Sequence, residues 1–191
     1  MNIDDLQRPL KVDEIEFRVQ SINNGGYATI LAYKDARTDI NRLNSVCGRL
    51  GWKREHSRDN QNCTVSVYDA DHGHWVGKED TGTESNTEAK KGLASDSFKR
   101  ACFNWGIGIE LYDFPVISIK LLGDKNKPDK WNDEIDYTAK PKPKATWNLK
   151  IKEWAWYLDS DESGRVKRLR ARDNNGQPRF DYKILITEKT K

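Results

Sequence analysis

Apolar residues recur along the chain at two spacings, and the change from one to the other marks out its elements. Residues 15–21 (IEFRVQS) alternate apolar and polar as a half-buried strand does, Asn24-Gly25-Gly26 makes a turn, and residues 27–33 (YATILAY) supply a second strand. Ahead of these, residues 3–10 read as a short helix stopped near Pro9. Asp35 is the expected N-cap of a helix over 36–50, with Ile40, Leu43, Cys47 and Leu50 on one face and Gly51 at its end. Strands follow at 52–56, 63–68 and 75–79, the last two joined by a turn over 69–73. The longest signal comes next: Ala89, Leu93, Ala94, Phe98, Ala101, Cys102 and Trp105 recur at intervals of three and four, which predicts an amphipathic helix with one stripe facing a core. Ser85 with Glu88 three residues on forms a capping box after Thr81, Gly82 and Thr83, and Gly106 can take the left-handed conformation that stops the helix.

Past Pro115 the pattern predicts a strand over 116–122 and then a mixed-charge stretch, residues 123–145, in which Pro141 and Pro143 alternate with lysines as in an extended linker. Residues 146–191 read as strands at 147–158, 165–173 and 179–187, with a turn at Asn174-Asn175-Gly176. The expected fold class is α+β, an antiparallel β-meander packed on the long amphipathic helix. The expected domains are a core with a basic linker at its end over 1–145 and a strand-rich extension over 146–191.

Composition changes this picture in three ways. Charged residues are 33% of the 191 and hydrophobic ones 36%, so much of the surface must meet water or charged partners, yet the net charge is only +3. A polyanion site would therefore have to come from local clustering of cations. Cys47, Cys63 and Cys102 make an odd count without paired spacing, which suits reduced thiols in a cytoplasmic protein. No stretch reaches bilayer-spanning length, and the first residues are acidic where a secretory signal is basic and then apolar, so no membrane partner is expected.

The candidate chemistry lies on the long helix and in the tail. Lys99 and Arg100 flank the apolar stripe, where cations can line a groove that holds a polyanion backbone, while Lys90, Lys91 and Asp96 point elsewhere. Five cations fall between Arg165 and Arg172. In a regular strand Val166, Arg168, Arg170 and Arg172 share one face, either a basic ribbon for phosphates or an edge strand guarded by charge. Among the seven tryptophans, Trp52, Trp75 and Trp105 fall in predicted core elements. Trp154 and Trp156 share a strand face with Lys152 and could stack on bases or on a neighbouring subunit. His72 and His74 beside Asp69 and Asp71 could be imagined as a metal site, but the run is a short turn that fits neither zinc nor calcium spacing. Gly106-x-Gly108 follows a helix, whereas phosphate-cradling loops precede one. Glu88-Ala-Lys90 has the form of a nuclease motif's tail, with Asp80 as an upstream metal-binding carboxylate, although such motifs sit on strands.

Several blocks together resemble a known family. IEFRVQS (15–21), LAYKDARTDINRL (31–43), GW (51–52), WVGKEDTG (75–82) and above all EAKKGLASDSFKRACFNWGIGIELY (88–112) are similar, in order and spacing, to the Rad fifty-two/twenty-two family of single-strand DNA annealing proteins in its bacteriophage branch. The resemblance covers about residues 6–115. It implies a sheet packed on the long helix, assembly into a homo-oligomeric ring or helix around a basic groove, and annealing of single-stranded DNA in recombination and double-strand break repair. It implies no enzyme activity and no cofactor or ATP, and the chain has no G-x-x-x-x-G-K-[ST] run. Carried over residue by residue, the DNA contacts fall on Lys99, Arg100 and Arg37; Lys90, Lys91, Arg168, Arg170 and Arg172 complete the candidate DNA-binding set. Implied partners are single-stranded DNA, further copies of the chain, and a host or phage single-strand-binding protein or exonuclease, in the cytoplasm of a bacterial host cell. Where eukaryotic members carry a further basic residue three positions past the Arg of the pair, this chain has Phe103. Two other classes stay open: a metal-dependent nuclease resting on Asp80 and Glu88, and an oligomeric assembly module indifferent to DNA.

Overall fold

The computed structural model describes residues 2–83, 89–129 and 131–184. It is α+β, with two α-helices and antiparallel sheets among the described residues. The chain divides into two compact units, one of residues 1–10 and 34–112, the other of residues 11–33 and 113–191. These are not the sequential segments 1–145 and 146–191. The strands at 16–22 and 27–33 belong with the C-terminal part of the chain, because the strand after Pro115 pairs with one of them.

In the first unit a 3₁₀ turn, Ile3–Gln7, stands where the short N-terminal helix is expected. Helix α1, Ala36–Cys47, is capped by Asp35, whose Oδ1 accepts from the backbone N–H groups of Arg37 (2.7 Å) and Thr38 (3.0 Å). It stops three residues before the expected end, at Gly48 instead of Gly51, and Leu50 is left 93% exposed outside it. Numbering the strands from the N-terminus, β3 (Trp52–Ser57), β4 (Asn62–Asp69) and β5 (His74–Thr81) form the meander in that order. Cys63, Val65 and Val67 of β4 point to one face and are buried. Against that face lies α2, Ala89–Phe103, with Leu93, Ser97, Phe98, Ala101 and Cys102 buried. Leu6, Leu43, Trp105 and Ile107 join the same core. Ser97 is a polar residue within this buried face. Burial is tolerated because its hydroxyl donates to the Asn60 carbonyl at 3.0 Å.

The C-terminal end of α2 closes as expected. Gly106, at φ 84, donates to the Phe103 carbonyl (2.8 Å) and Ile107 to the Cys102 carbonyl (3.2 Å), the paired bonds of a Schellman ending. Trp105 then turns inward and donates its Nε1 to the Val65 carbonyl at 2.9 Å, tying the helix end to the middle strand. The capping box of Ser85 and Glu88 lies outside the described residues.

The second unit contains β1 (Glu16–Ile22), β2 (Tyr27–Tyr33) and β6 (Ile117–Lys120), in the order β1-β2-β6. The stretch read as an extended linker carries a short ladder, β7 (Ile135–Asp136) with β8 (Lys144–Ala145). The tail forms β9 (Ala155–Ser160), β10 (Val166–Arg172) and β11 (Pro178–Lys183), with β10 in the middle. Arg179 holds linker and tail together. Its guanidinium reaches both Glu134 oxygens (2.7 and 2.6 Å), the Lys120 carbonyl (3.2 Å) and Asp173 (3.3 Å), and lies 4.5 Å from the Trp154 ring. A buried bidentate pair of this kind has no periodic signature, which is why the tail reads from sequence as a separate extension.

A testable consequence concerns the end of α2. A Cβ at Gly106 would lie 2.4 Å from Cγ of Gln7, whereas one at Gly73, also left-handed at φ 70, would meet nothing within 4 Å. Gly73→Ala should cost only the backbone strain, about 1–2 kcal/mol, and Gly106→Ala clearly more, as read by urea denaturation.

Candidate nucleic-acid interface

Adjacent helical residues are about 100° apart, so Lys99 and Arg100, between Phe98 on one side and Ala101 and Cys102 on the other, emerge at the margin of the buried face of α2. Lys99 is half-buried, and its side chain has no ion-pair or hydrogen-bond partner among the described residues. Arg100 is 39% exposed and its Nε donates to Asp80 Oδ1 on β5 at 3.3 Å. Asn104 reaches the other oxygen of that carboxylate at 3.4 Å, so Asp80 is engaged by a cation and an amide. Asp80 therefore orients Arg100 along the edge strand. Lys78, also on β5, donates to the Asn104 carbonyl at 2.7 Å and sits 4.5 Å over the Trp105 ring.

Arg37 lies in the first turn of α1 with its side chain 88% exposed; its Nε is 3.1 Å from Asp35 Oδ2. The two helices that carry these cations are joined by a residue that sequence reasoning passed over. Lys34, 1% exposed, precedes α1 and pairs with the fully buried Asp39 of that helix. Its ammonium also approaches the Lys99 carbonyl at 3.5 Å and lies 4.1 Å from the Phe103 ring. Phe103 thus serves as the aromatic wall for a buried cation supplied by the residue just before the α1 cap. The sequence signal was faint: a Lys and an Asp five apart around a helix start are ordinary surface residues in most proteins.

Burial dominates the chemistry of this pair. It pushes the Asp39 carboxyl up to about 6 against the opposing pull of Lys34 and Lys99, with Asp35 adding to the upward push. It lowers Lys34, which Asp39 and Cys102 partly restore and Lys99 depresses further. Among the described residues Asp39 Oδ2 has no hydrogen-bond partner, consistent with a carboxylate held at a cost. The neighbouring Cys102 thiol is pushed well up by the same burial, and Cys63 up to about 11, so both are poor nucleophiles.

The tail cations are engaged differently from the expectation. A register shift between Val166 and Arg168 turns Val166 into the buried face with Leu169 and Ala171, away from the arginines. Arg168 is paired with Asp181 at 2.9 Å, Arg172 donates to the Gly176 carbonyl at 2.8 Å, and Arg170 lies 4.6 Å from the Tyr157 ring. The strand is central in its sheet, so the reading of a charge-guarded edge does not hold. Lys90 and Lys91 fall on α2 at positions whose side chains lie outside the described residues.

The tryptophans divide otherwise than expected. Trp105 is buried, and Trp52 packs on Phe98 and donates to Asn44 at 2.8 Å. Trp75, expected in the core, is 42% exposed, because its cross-strand partner is Tyr68 and both lie on the face of the sheet opposite Val65 and Val67. Residues 151–153 form a 3₁₀ turn, so Lys152 does not share a strand face with Trp154 and Trp156. Trp154 is buried beneath Arg179, and Trp156 stacks on Phe17 with ring centroids 3.7 Å apart. In the 69–73 turn, Asp69 accepts from the backbone of Asp71 and His72 and from the His72 ring, as a turn-forming aspartate does. Of the two carboxylates of the nuclease reading, Asp80 is engaged by Arg100 and Glu88 lies outside the described residues. Among the described residues no helix is long and apolar enough to cross a membrane.

No protein-family model matches this chain, and no curated protein matches it.

The buried pair yields two measurable outcomes. Lys34→Met alone leaves the Asp39 carboxylate uncompensated and should cost about 3–5 kcal/mol, while the double change Lys34→Met with Asp39→Leu should recover most of that loss in urea denaturation. Because the folded protein holds the Asp39 proton more tightly than the unfolded chain, the stability contributed by this group should rise as pH falls from about 6 toward 4. Comparing the parent with Asp39→Asn across that range reads the slope, which the variant should lack.

Proposed function

We propose that this chain binds single-stranded DNA and anneals complementary strands without nucleotide hydrolysis, acting as a homo-oligomer in homologous recombination and double-strand break repair. The observation that carries the reading is the margin of α2, where Lys99 and Arg100 emerge beside a packed core that keeps them from collapsing into it. Arg37 adds an exposed cation at the start of α1, the helix that Lys34 ties to the Lys99 carbonyl. The resemblance of residues 6–115 to the Rad fifty-two/twenty-two family assigns the same three residues to the DNA backbone.

The physical task is to bring together two polyanions that repel one another and fold on themselves. A cation that neutralises a phosphate releases a condensed counterion, which favours binding at low salt and leaves the bases free to pair. Three such contacts on one subunit are weak. Copies of the groove along one strand multiply them through effective concentration, and pairing of the product duplex supplies the driving force. In this scheme α2 is the long amphipathic helix whose polar margin lines the groove. Asp80 is a positioning residue that holds Arg100 along β5 until a phosphate competes for it. Arg168, Arg170 and Arg172 are engaged within their own sheet and contribute less.

Labelled complementary oligonucleotides, mixed with the protein with and without chelator, test the reading. Annealing should accelerate without ATP or metal, and degradation dependent on a divalent ion would instead indicate a nuclease. Lys99→Ala with Arg100→Ala should weaken single-strand binding at least tenfold and reduce the salt slope by about 1.4, roughly 0.7 per lost cation, with the circular dichroism spectrum unchanged. A double variant that binds as tightly as the parent overturns the assignment.

A further inference from the structure

One turn past Lys99 the margin of α2 changes from cation to ring. Residues four apart in a helix are neighbours on its surface, so Phe103 follows Lys99 along that margin. Phe103 is half-buried, with the Lys34 ammonium 4.1 Å from its ring centroid. It also meets the Tyr112 ring, the centroids 4.9 Å apart and the planes inclined at 55°. Aromatic pairs favour such a tilted contact, which covers only part of each ring. Tyr112 remains 63% exposed.

The backbone that presents this tyrosine is fastened at several points. Tyr112 belongs to a 3₁₀ turn, Ile109–Asp113, which follows the glycine-bounded end of α2. Leu111 N–H donates to the Gly108 carbonyl at 3.0 Å, and Ile107, just ahead of Gly108, is fully buried. Glu110, 8% exposed, accepts from the Leu10 N–H at 2.6 Å and ties the turn to the N-terminal segment. The turn lies so close to its neighbours that a Cβ at Gly108 would stand 3.0 Å from both Leu10 Cδ1 and Lys34 Cδ. With about three residues to each turn of a 3₁₀ segment, Ile109 and Tyr112 share one side, and the inward seating of Glu110 turns that side to solvent. An aromatic residue is therefore displayed on anchored chain beside the cations of α2, and holding it in place adds little ordering cost to a complex.

We propose that Tyr112 is a stacking platform for one unpaired base of the strand whose backbone lies on Lys99 and Arg100, with Phe103 backing the tyrosine ring. The proposal rests on the reading of the α2 margin as a phosphate-binding surface and adds to it a contact with the bases. Every base has a π-face, so such a platform is indifferent to sequence. In a duplex those faces are covered by neighbouring base pairs, so the platform holds a strand only until it pairs and contributes nothing to retaining the annealed product.

Three labelled probes, each titrated with the whole chain, test this: an oligothymidylate, an oligomer of the same length whose sugars carry no bases, and a duplex. Tyr112→Ala and Tyr112→Leu should each weaken oligothymidylate binding about fivefold or more, while Tyr112→Phe, still a ring, should bind as the parent does. The salt slope should stay at the parent value, because no cation is lost, in contrast to Lys99→Ala with Arg100→Ala. The base-free oligomer and the duplex should bind the parent and the Tyr112 variants alike. Tyr112→Leu keeps apolar cover over Phe103 and carries the test if circular dichroism shows Tyr112→Ala unfolded. The proposal is overturned if Tyr112→Leu binds oligothymidylate as tightly as the parent, or if it loses as much affinity for the base-free oligomer or the duplex. It is equally overturned if Tyr112→Leu reduces self-association in sedimentation velocity, which would make Tyr112 a contact between copies. A parent that binds no single strand removes the reading of the α2 margin and the platform with it, whereas a parent that binds and is matched by Tyr112→Leu removes the platform alone.

Discussion

The first compact unit depends on the seating of α2 against the middle strand of its sheet. Phe98, Ala101 and Cys102 are fully buried there together with Cys63 and Val65, and Trp105 fixes the helix end by donating to the Val65 carbonyl. Complete burial of a helix face leaves no rotational freedom, since a turn of even one residue would drive Lys99 into the core or lift Phe98 into water. The positions of Lys99 and Arg100 are therefore set by apolar packing and not by any attraction between cations and ligand. A surface made this way is rigid in advance, which would lower the ordering cost of the complex proposed for it.

The second theme is how a chain with one third charged residues disposes of its charges. Some are taken inside as pairs. Lys34 with Asp39 bridges α1 to α2, and Arg179 with Glu134 and Asp173 joins the linker to the tail. Such pairs contribute less net stability than their contacts suggest, because desolvation offsets attraction, but breaking one is expensive, so they enforce one arrangement over its competitors. Others are held at the surface by partners on the same sheet, as with Arg168 and Asp181. Lys99, at the margin of α2, is held by neither kind of partner among the described residues. The small net charge is then no obstacle to a local basic margin.

Much of the local structure is legible in the residues. The Asp35 cap, the β2 limits at 27 and 33, the three-strand meander and the Gly106 ending all follow from short-range chemistry: side-chain caps, period-two alternation and a left-handed glycine. The errors have the same origin. Gly48 precedes Gly51 and either could end α1; which one does depends on where the chain must turn to enter β3. Trp75 looks like core by residue type, but the pairing register puts it opposite Tyr68 on the outer face. At the candidate site, the adjacent Lys99 and Arg100 are visible as a pair at the edge of a stripe, whereas Lys34 and Asp39 are not, since nothing in their spacing announces burial.

What the amino-acid order determines alone is thus the set of elements and the side of each that is apolar, because those depend on neighbours within a few positions. Tertiary structure alone decides which strands share a compact unit and which charges are consumed. Residues 16–33 join the C-terminal part through β6, the arginines of β10 find partners within their own sheet, and Lys34 sits beneath Lys99. Each of these is a meeting of residues far apart in sequence, and its energy, whether a ladder of backbone bonds or the balance of desolvation against attraction, exists only once the chain has closed the loop between them.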